Sequence, residues 1–256
     1  MSVGPSPSPG AGECLEAQRG IASTTNADTE RRFGGVRRLY GEAAYARIRG
    51  ARIAVVGLGG VGSWVVEALA RCGARALVLV DLDHVAESNI NRQIQALTST
   101  LGMAKAQALR ERIEQIHPGC SVLAIEAFAD PHNWPALLGA EPIDALVDAC
   151  DQTAAKAAMA HWALAGRVPF VAVGAAGGKQ MAQRVEVADL ADVTHDPLLA
   201  SVRRRLRRGG ASRDGLIGLR CVCSREAVAA PLGIDACASD GSLNCHGFGS
   251  TVVVTA

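Results

Sequence analysis

The 256 residues predict an α/β fold: a doubly wound, mainly parallel sheet with a C-terminal β extension. Two observations carry that prediction. Short β-rich apolar runs alternate with helical patterns from about residue 51 to 174, which is the order that builds a parallel sheet with right-handed crossovers. Between the first run and the first helix lies Gly57-x-Gly59-x-x-Gly62, with Asp81 closing the next run. A strand, that glycine spacing and a helix make the Rossmann-like phosphate turn. Its glycines permit a tight turn, let backbone N–H groups approach a phosphate and let helix and strand pack closely. Asp81 is placed to accept hydrogen bonds from a ribose.

Taken in order, residues 1–30 carry Pro5, Pro7 and Pro9 among small polar residues, without the apolar core of a secretory signal, and are expected to be a disordered leader. A short amphipathic helix is expected over Tyr40–Arg49, strand one over 51–57, and helix one over 60–72, stopped at Gly73. Strand two covers 76–81. Residues 82–100 are polar and irregular, and too long for an ordinary connection, so they are expected to carry function. A helix from Gly102 to Ile116 ends at His117-Pro118-Gly119. Strand three (Val122–Ala127), a short helix around Trp134–Leu138, strand four (Ile143–Ala149), a helix (Gln152–Ala165) and strand five (Phe170–Gly174) follow. Beyond Gly174, Gln183–Ala188 and Leu219–Ser224 read as strands around a helix at Asp196–Arg208. Residues 230–248 read as loop, and the β-branched run Thr251–Thr255 as a final strand.

Composition narrows the function classes. Net charge is +1, so nucleic acid can be met only by a local patch. No apolar run approaches the roughly 20 residues of a membrane span, and no membrane partner is expected. Eight cysteines occur without a Cys-x-x-Cys pair, which disfavours structural zinc and, with the α/β pattern, places the chain in a reducing cytoplasm. Cys72 and Cys150 sit in apolar segments and are expected to be buried.

The segment 82–105 selects the nucleotide. Besides Asp83 it holds Asn89, Arg92, Gln93 and Lys105. A triphosphate needs more cations than a dinucleotide does, and Arg92 and Lys105 supply two after strand two, while Asn89 can fix the loop or touch phosphates. Asp151, just beyond strand four, is a candidate Mg²⁺ ligand. An NAD oxidoreductase would leave 82–105 unexplained. A nucleotide-sensing module without turnover would not need Arg92, Lys105 and Asp151 together.

Gly57–Gly62, Asp81-Leu82-Asp83, Asn89–Gln93, Gly102–Lys105 and Asp148–Asp151 resemble the ubiquitin-activating-enzyme-like adenylating proteins. Within them, Arg32–Gly35, Arg38–Gly41, Gly174–Gly178, Asp196-Pro197-Leu198 and Cys221–Ala227 resemble the tRNA threonylcarbamoyladenosine dehydratases. The resemblance implies a single ATP-binding adenylating domain over 31–256. It implies ATP and Mg²⁺ as cofactors, with Gly57, Gly59, Gly60, Gly62, Asp81, Asp83, Asn89, Arg92, Gln93 and Lys105 at the nucleotide. Arg92, Lys105, Asp151 and Arg32 take catalytic roles, and Asp151 holds the metal. Arg32 (or Arg37 or Arg38 nearby) is expected to reach the partner's ATP in a homodimer. The reaction implied is adenylation of the threonyl carboxylate on a modified adenosine beside the tRNA anticodon, followed by intramolecular closure. The family sometimes works with a cysteine-desulfurase and sulfur-acceptor system, and normally continues past the final strand with an apolar helix that this chain does not show. The alternative is activation of the C-terminal glycine of a ubiquitin-like sulfur carrier. Such chemistry is often thiol-dependent, but closure within one substrate needs no thioester, so Cys221 and Cys245 are expected to be structural. Arg203–Arg208 with Arg213 is the densest basic run and a candidate tRNA contact.

Overall fold

The computed structural model describes residues 26–229 and 249–256. Helices α1 (Asn26–Tyr40) and α2 (Glu42–Gly50) precede β1 (Arg52–Val56), α3 (Gly60–Arg71), β2 (Ala76–Val80), α4 (Lys105–Ile116) and β3 (Ser121–Ile125). Then come β4 (Ala145–Asp148), α5 (Thr153–Gly166), β5 (Phe170–Val173), β6 (Val185–Asp189), α6 (Pro197–Arg208), β7 (Arg220–Ser224) and a last turn, α7 (Val252–Thr255). One seven-stranded sheet runs β3-β2-β1-β4-β5-β7-β6, and only β6 is antiparallel to its neighbour. The order in which strands are added reverses between the parallel neighbours β1 and β4, and the crevice at their carboxyl ends is where open α/β sheets hold ligands.

The core is aliphatic and lies on both faces. Along β1 and β2, Val55, Leu77 and Leu79 face α3 and α4 with Val66, Leu109 and Ile113. The alternate residues Ala54, Val56, Val78 and Val80 face Trp134, Leu146 and Met159. This period of two, buried on both sides, is why the strands read as continuous apolar runs. A further cluster joins α6 (Leu199, Val202, Leu206) to β7 (Cys221, Cys223).

Three expectations are corrected. Most of the expected leader, 1–25, lies outside the described residues, but 26–30 open α1 rather than disordered chain. The helix is anchored by Phe33, whose ring meets His117 edge-on at 4.7 Å and lies 5.2 Å from the Arg49 guanidinium. Thr251–Thr255 forms a helical turn, not a strand, with Thr255 beside Gly60 of α3, so packing on α3 overrides β propensity. Cys72 and Cys150 are half-buried rather than buried. The expected loop 230–248 lies outside the described residues, as do Cys14, Cys237 and Cys245.

Candidate active site

A cavity of about 320 Å³ opens at the carboxyl edge between β1 and β4. One wall is the glycine turn. Gly57 has φ +86°, and a Cβ there would sit 2.6 Å from Cys150 N, so a side chain cannot pass where β1 meets β4. A Cβ on Gly62 would collide with the Gly57 carbonyl, which explains the close entry of α3. The free N–H groups of the first turn of α3 are thereby presented to the cavity.

The loop after β2 forms the second wall. Asp81 accepts from Leu58 N at 2.6 Å and from Asp83 N at 2.8 Å, so it braces the glycine turn. Each of its oxygens retains a second lone pair for a ribose hydroxyl. Burial raises its pKa despite the nearby Lys105 and these two donors. Asn89 Oδ1 accepts from Ala86 N at 3.1 Å, which gives it the loop-fixing role. Gln93 is buried in the same loop, its Oε1 accepting from Gln95 Nε2 at 3.1 Å.

Two cations enter this cavity. Lys105 is buried and donates to Asp83 Oδ2 at 2.7 Å. Arg92 is buried as well; it donates to Asn91 Oδ1 at 2.9 Å, while its Nε has no partner among the described residues. Its backbone is pinned by Trp64 Nε1, which donates to Arg92 O at 3.0 Å. A guanidinium lining a cavity is suited to pair with an anionic ligand there.

The third wall follows β4 and β5. Asp151 is exposed at the cavity rim, with Oδ1 accepting from Gln152 Nε2 at 3.2 Å. Below it, fully buried Lys156 donates to Asp148 Oδ1 at 2.9 Å and to Asp148 O at 3.0 Å. Burial alone would lower the Lys156 pKa, but the paired carboxylate holds it above the usual lysine value. Asp196 caps α6 by accepting from Leu199 N at 2.9 Å and also accepts from Ala175 N at 2.9 Å. One carboxylate therefore starts the helix and fixes the Gly174–Ala176 wall, which is the physical content of Asp196-Pro197-Leu198.

All the expected nucleotide residues line the cavity except Gly62, which acts one layer behind. Arg32 does not line it. Its guanidinium lies at the opposite edge of the sheet, on Asp28 (3.1 Å) and the Ile116 carbonyl (3.0 Å). Arg37 is held by Glu30 and Glu42, and Arg38 is exposed. The sequence reading missed Ala127–Ala129, Gly174–Ala176 and Leu198 as cavity walls. Gly174–Ala176 and Leu198 fall in stretches that carry the resemblance, but the signal for a wall was position, directly after β3 and β5 and at the start of α6.

Two cysteine thiols, Cys150 and Cys221, are unsuited to nucleophilic attack. Burial, then the adjacent Asp148 carboxylate, pushes Cys150 in the cavity well above its ordinary value. Burial pushes Cys221 up to about 12. Among the described residues, no three His, Cys, Asp or Glu side chains are grouped to hold a metal, and no helix is long and apolar enough to cross a membrane.

Comparison with known proteins matches this architecture. The ThiF family model aligns with residues 34–213. The chain is 40% identical to the tRNA threonylcarbamoyladenosine dehydratase of Escherichia coli K12, covering 88% of each chain. It is 37% identical to the enzyme of that name from Haemophilus influenzae, over 89% of this chain and 88% of the relative. A crystal structure of the E. coli tRNA N6-threonylcarbamoyladenosine dehydratase in complex with ATP superposes with a TM-score of 0.81 at 39% identity, covering 91% of this chain and 90% of that one. A match of that extent, in model and in relatives, makes this chain a member of the ThiF family.

Proposed function

We propose that this chain catalyses the ATP-dependent dehydration of threonylcarbamoyladenosine in tRNA. The threonyl carboxylate attacks the α-phosphate of ATP and pyrophosphate leaves. An internal nucleophile of the threonylcarbamoyl group then closes on the activated carbonyl, and AMP departs with the carboxylate oxygen. The observation that carries this reading is the meeting of the glycine turn, buried Arg92 and Lys105, and Asp151 in one cavity. Arg92, Lys105 and the N–H groups opening α3 are suited to stabilise charge developing on the phosphates. Asp81 and Asp83 flank the position expected for the ribose.

Mg²⁺ fits the donor set. It is commonly held by one or two carboxylates together with substrate phosphates, and Asp151 offers one hard oxygen donor at the rim. When bound it would neutralise phosphate charge. A homodimer is the assembly in which Arg32 could serve a second site, and the cytoplasm is the compartment in which this reading has the chain meet tRNA. Closure within the substrate needs no thioester, so this reading is consistent with the raised thiol of Cys150 in the cavity.

The test is pyrophosphate release from ATP with and without tRNA bearing threonylcarbamoyladenosine, followed by mass analysis of the nucleoside. Release that depends on that tRNA, with loss of one water from the nucleoside, is the expected result. AMP transfer to a small glycine-tailed protein instead would move the activity to the alternative.

A further inference from the structure

We propose that the exposed face of α6 is a track for RNA phosphates, formed by Arg204, Arg205 and Arg208 and extended by Arg213. The inference rests on the tRNA reading above and deepens it by naming the surface that carries the substrate.

The helix divides its arginines by role. Leu198, Leu199, Val202 and Leu206 are buried against the sheet. On the flanks, Arg203 donates to the carbonyls of Val193 (2.7 Å) and Leu190 (3.1 Å), and Arg207 Nε to that of Ser212 (3.2 Å). Those two hold α6 and the following loop in place. Arg204, Arg205 and Arg208 are exposed on the remaining face, at one- and four-residue spacing, and Arg213 is exposed just beyond. Among the described residues none of these four is in a salt bridge, and the one side-chain hydrogen bond they make is from Arg204 to Ser201 Oγ at 2.8 Å.

The concentration is local, because the whole chain has 26 basic and 25 acidic residues. Stabilisation of the helix C-terminus does not account for it. That effect is confined to the last turn and is worth about 0.3–1 kcal/mol at an exposed site, and it gives no reason for Arg213. Every basic residue of α6 is arginine, the side chain whose planar fork matches phosphate oxygens in a bidentate manner.

Placement supplies the second line of argument. The first turn of α6 is part of the cavity through Leu198. The exposed arginines follow along the same helix, at about 1.5 Å per residue, some 9–15 Å from that wall. At about 3.4 Å per stacked nucleotide, this is the distance of phosphates a few steps from a nucleoside in the cavity. The helix thus joins the reaction site to the flanking backbone of the same RNA.

The experiment uses the full chain and end-labelled bulk tRNA, with dissociation constants measured over a series of KCl concentrations. Wild type is compared with Arg204→Gln/Arg205→Gln/Arg208→Gln and with the corresponding triple lysine variant, and ATP binding is measured in parallel. The glutamine variant is expected to bind tRNA on the order of tenfold more weakly, with the slope of log K against log salt reduced by about two to three. The lysine variant should retain most of the slope, and ATP affinity should not change. In turnover, KM for tRNA rises while kcat is kept. A glutamine variant with the wild-type slope, or a wild type that does not bind tRNA, overturns the inference. So does competition by polyglutamate as strong as by unlabelled tRNA, which would assign the face to an acidic protein. Arginine-dependent tRNA binding without dehydration upholds the track and removes the proposed reaction alone.

Discussion

The two edges of the parallel sheet use the same residue types to opposite ends. At the carboxyl edge, Arg92 and Lys105 are buried in a cavity, and Arg92 Nε is left without an acceptor. At the amino edge, where α2, α3 and α4 end, Arg32 donates to the Ile116 carbonyl, and Arg49 donates to the Gly73 carbonyl and packs against Phe33. His117 there is neutral, with burial and then the Arg49 charge holding its pKa down to about 4. An arginine whose donors end on backbone carbonyls closes the fold. One that lines the cavity at the carboxyl edge is placed to meet a ligand. The contrast lies in what surrounds the guanidinium, which residue type alone does not disclose.

Four perturbations separate the edges. The largest effect is expected below the carboxyl edge, at Lys156→Met. Removing one member of a buried ion pair typically costs about 3–5 kcal/mol, because Asp148 would be left charged and unpaired. A urea unfolding curve measures it, and a midpoint like that of wild type would show that water or another cation replaces the ammonium. Next is Lys105→Ala, expected to lower kcat by on the order of 10²–10³-fold, as removal of a transition-state donor does. Its unfolding midpoint should stay close to wild type; a change in stability as large as the change in rate would make Lys105 a structural residue like Arg49.

The third is a pH effect at the amino edge. Unfolded His117 takes up its proton as pH falls through about 6.5, whereas the folded residue does so only near 4. Between those values the unfolded state binds more protons, so stability is lost as pH falls, by up to about 3 kcal/mol. His117→Gln should flatten the stability profile between pH 6.5 and 4, and an unchanged slope would mean that other groups dominate. The smallest is Arg32→Ala, which removes two hydrogen bonds of a partly exposed side chain and should cost about 1 kcal/mol. A tenfold or greater loss of ATP affinity, measured by calorimetry on the assembled protein, would instead put Arg32 in a partner's site.

The glycine turn was legible because its chemistry is local. Gly57 and Gly62 are needed where any Cβ meets backbone, and such needs recur in a fixed order of strand, turn and helix. The loop 82–105 could be found from its length and its two cations. Helix α1 was not legible: Gly34 and Gly35 interrupt it, and Phe33 is its main buried apolar contact, so no helical stripe is written there. The cavity walls at Ala127–Ala129 and Gly174–Ala176 are small or apolar residues without a chemical signature, and only strand order brings them opposite the glycine turn.

By itself the sequence determined the alternating α/β order, the phosphate turn and the cations that suit a triphosphate, because these depend on residue type and spacing over a few turns of chain. The tertiary structure decided which charges are free. Lys156 and Asp148 became a buried pair, Asp196 became at once a helix cap and a brace for the cavity wall, and Arg32 was drawn to the far edge. Each outcome depends on burial and on partners distant in the chain, and the energy of a charge depends on those surroundings far more than on its neighbours in sequence.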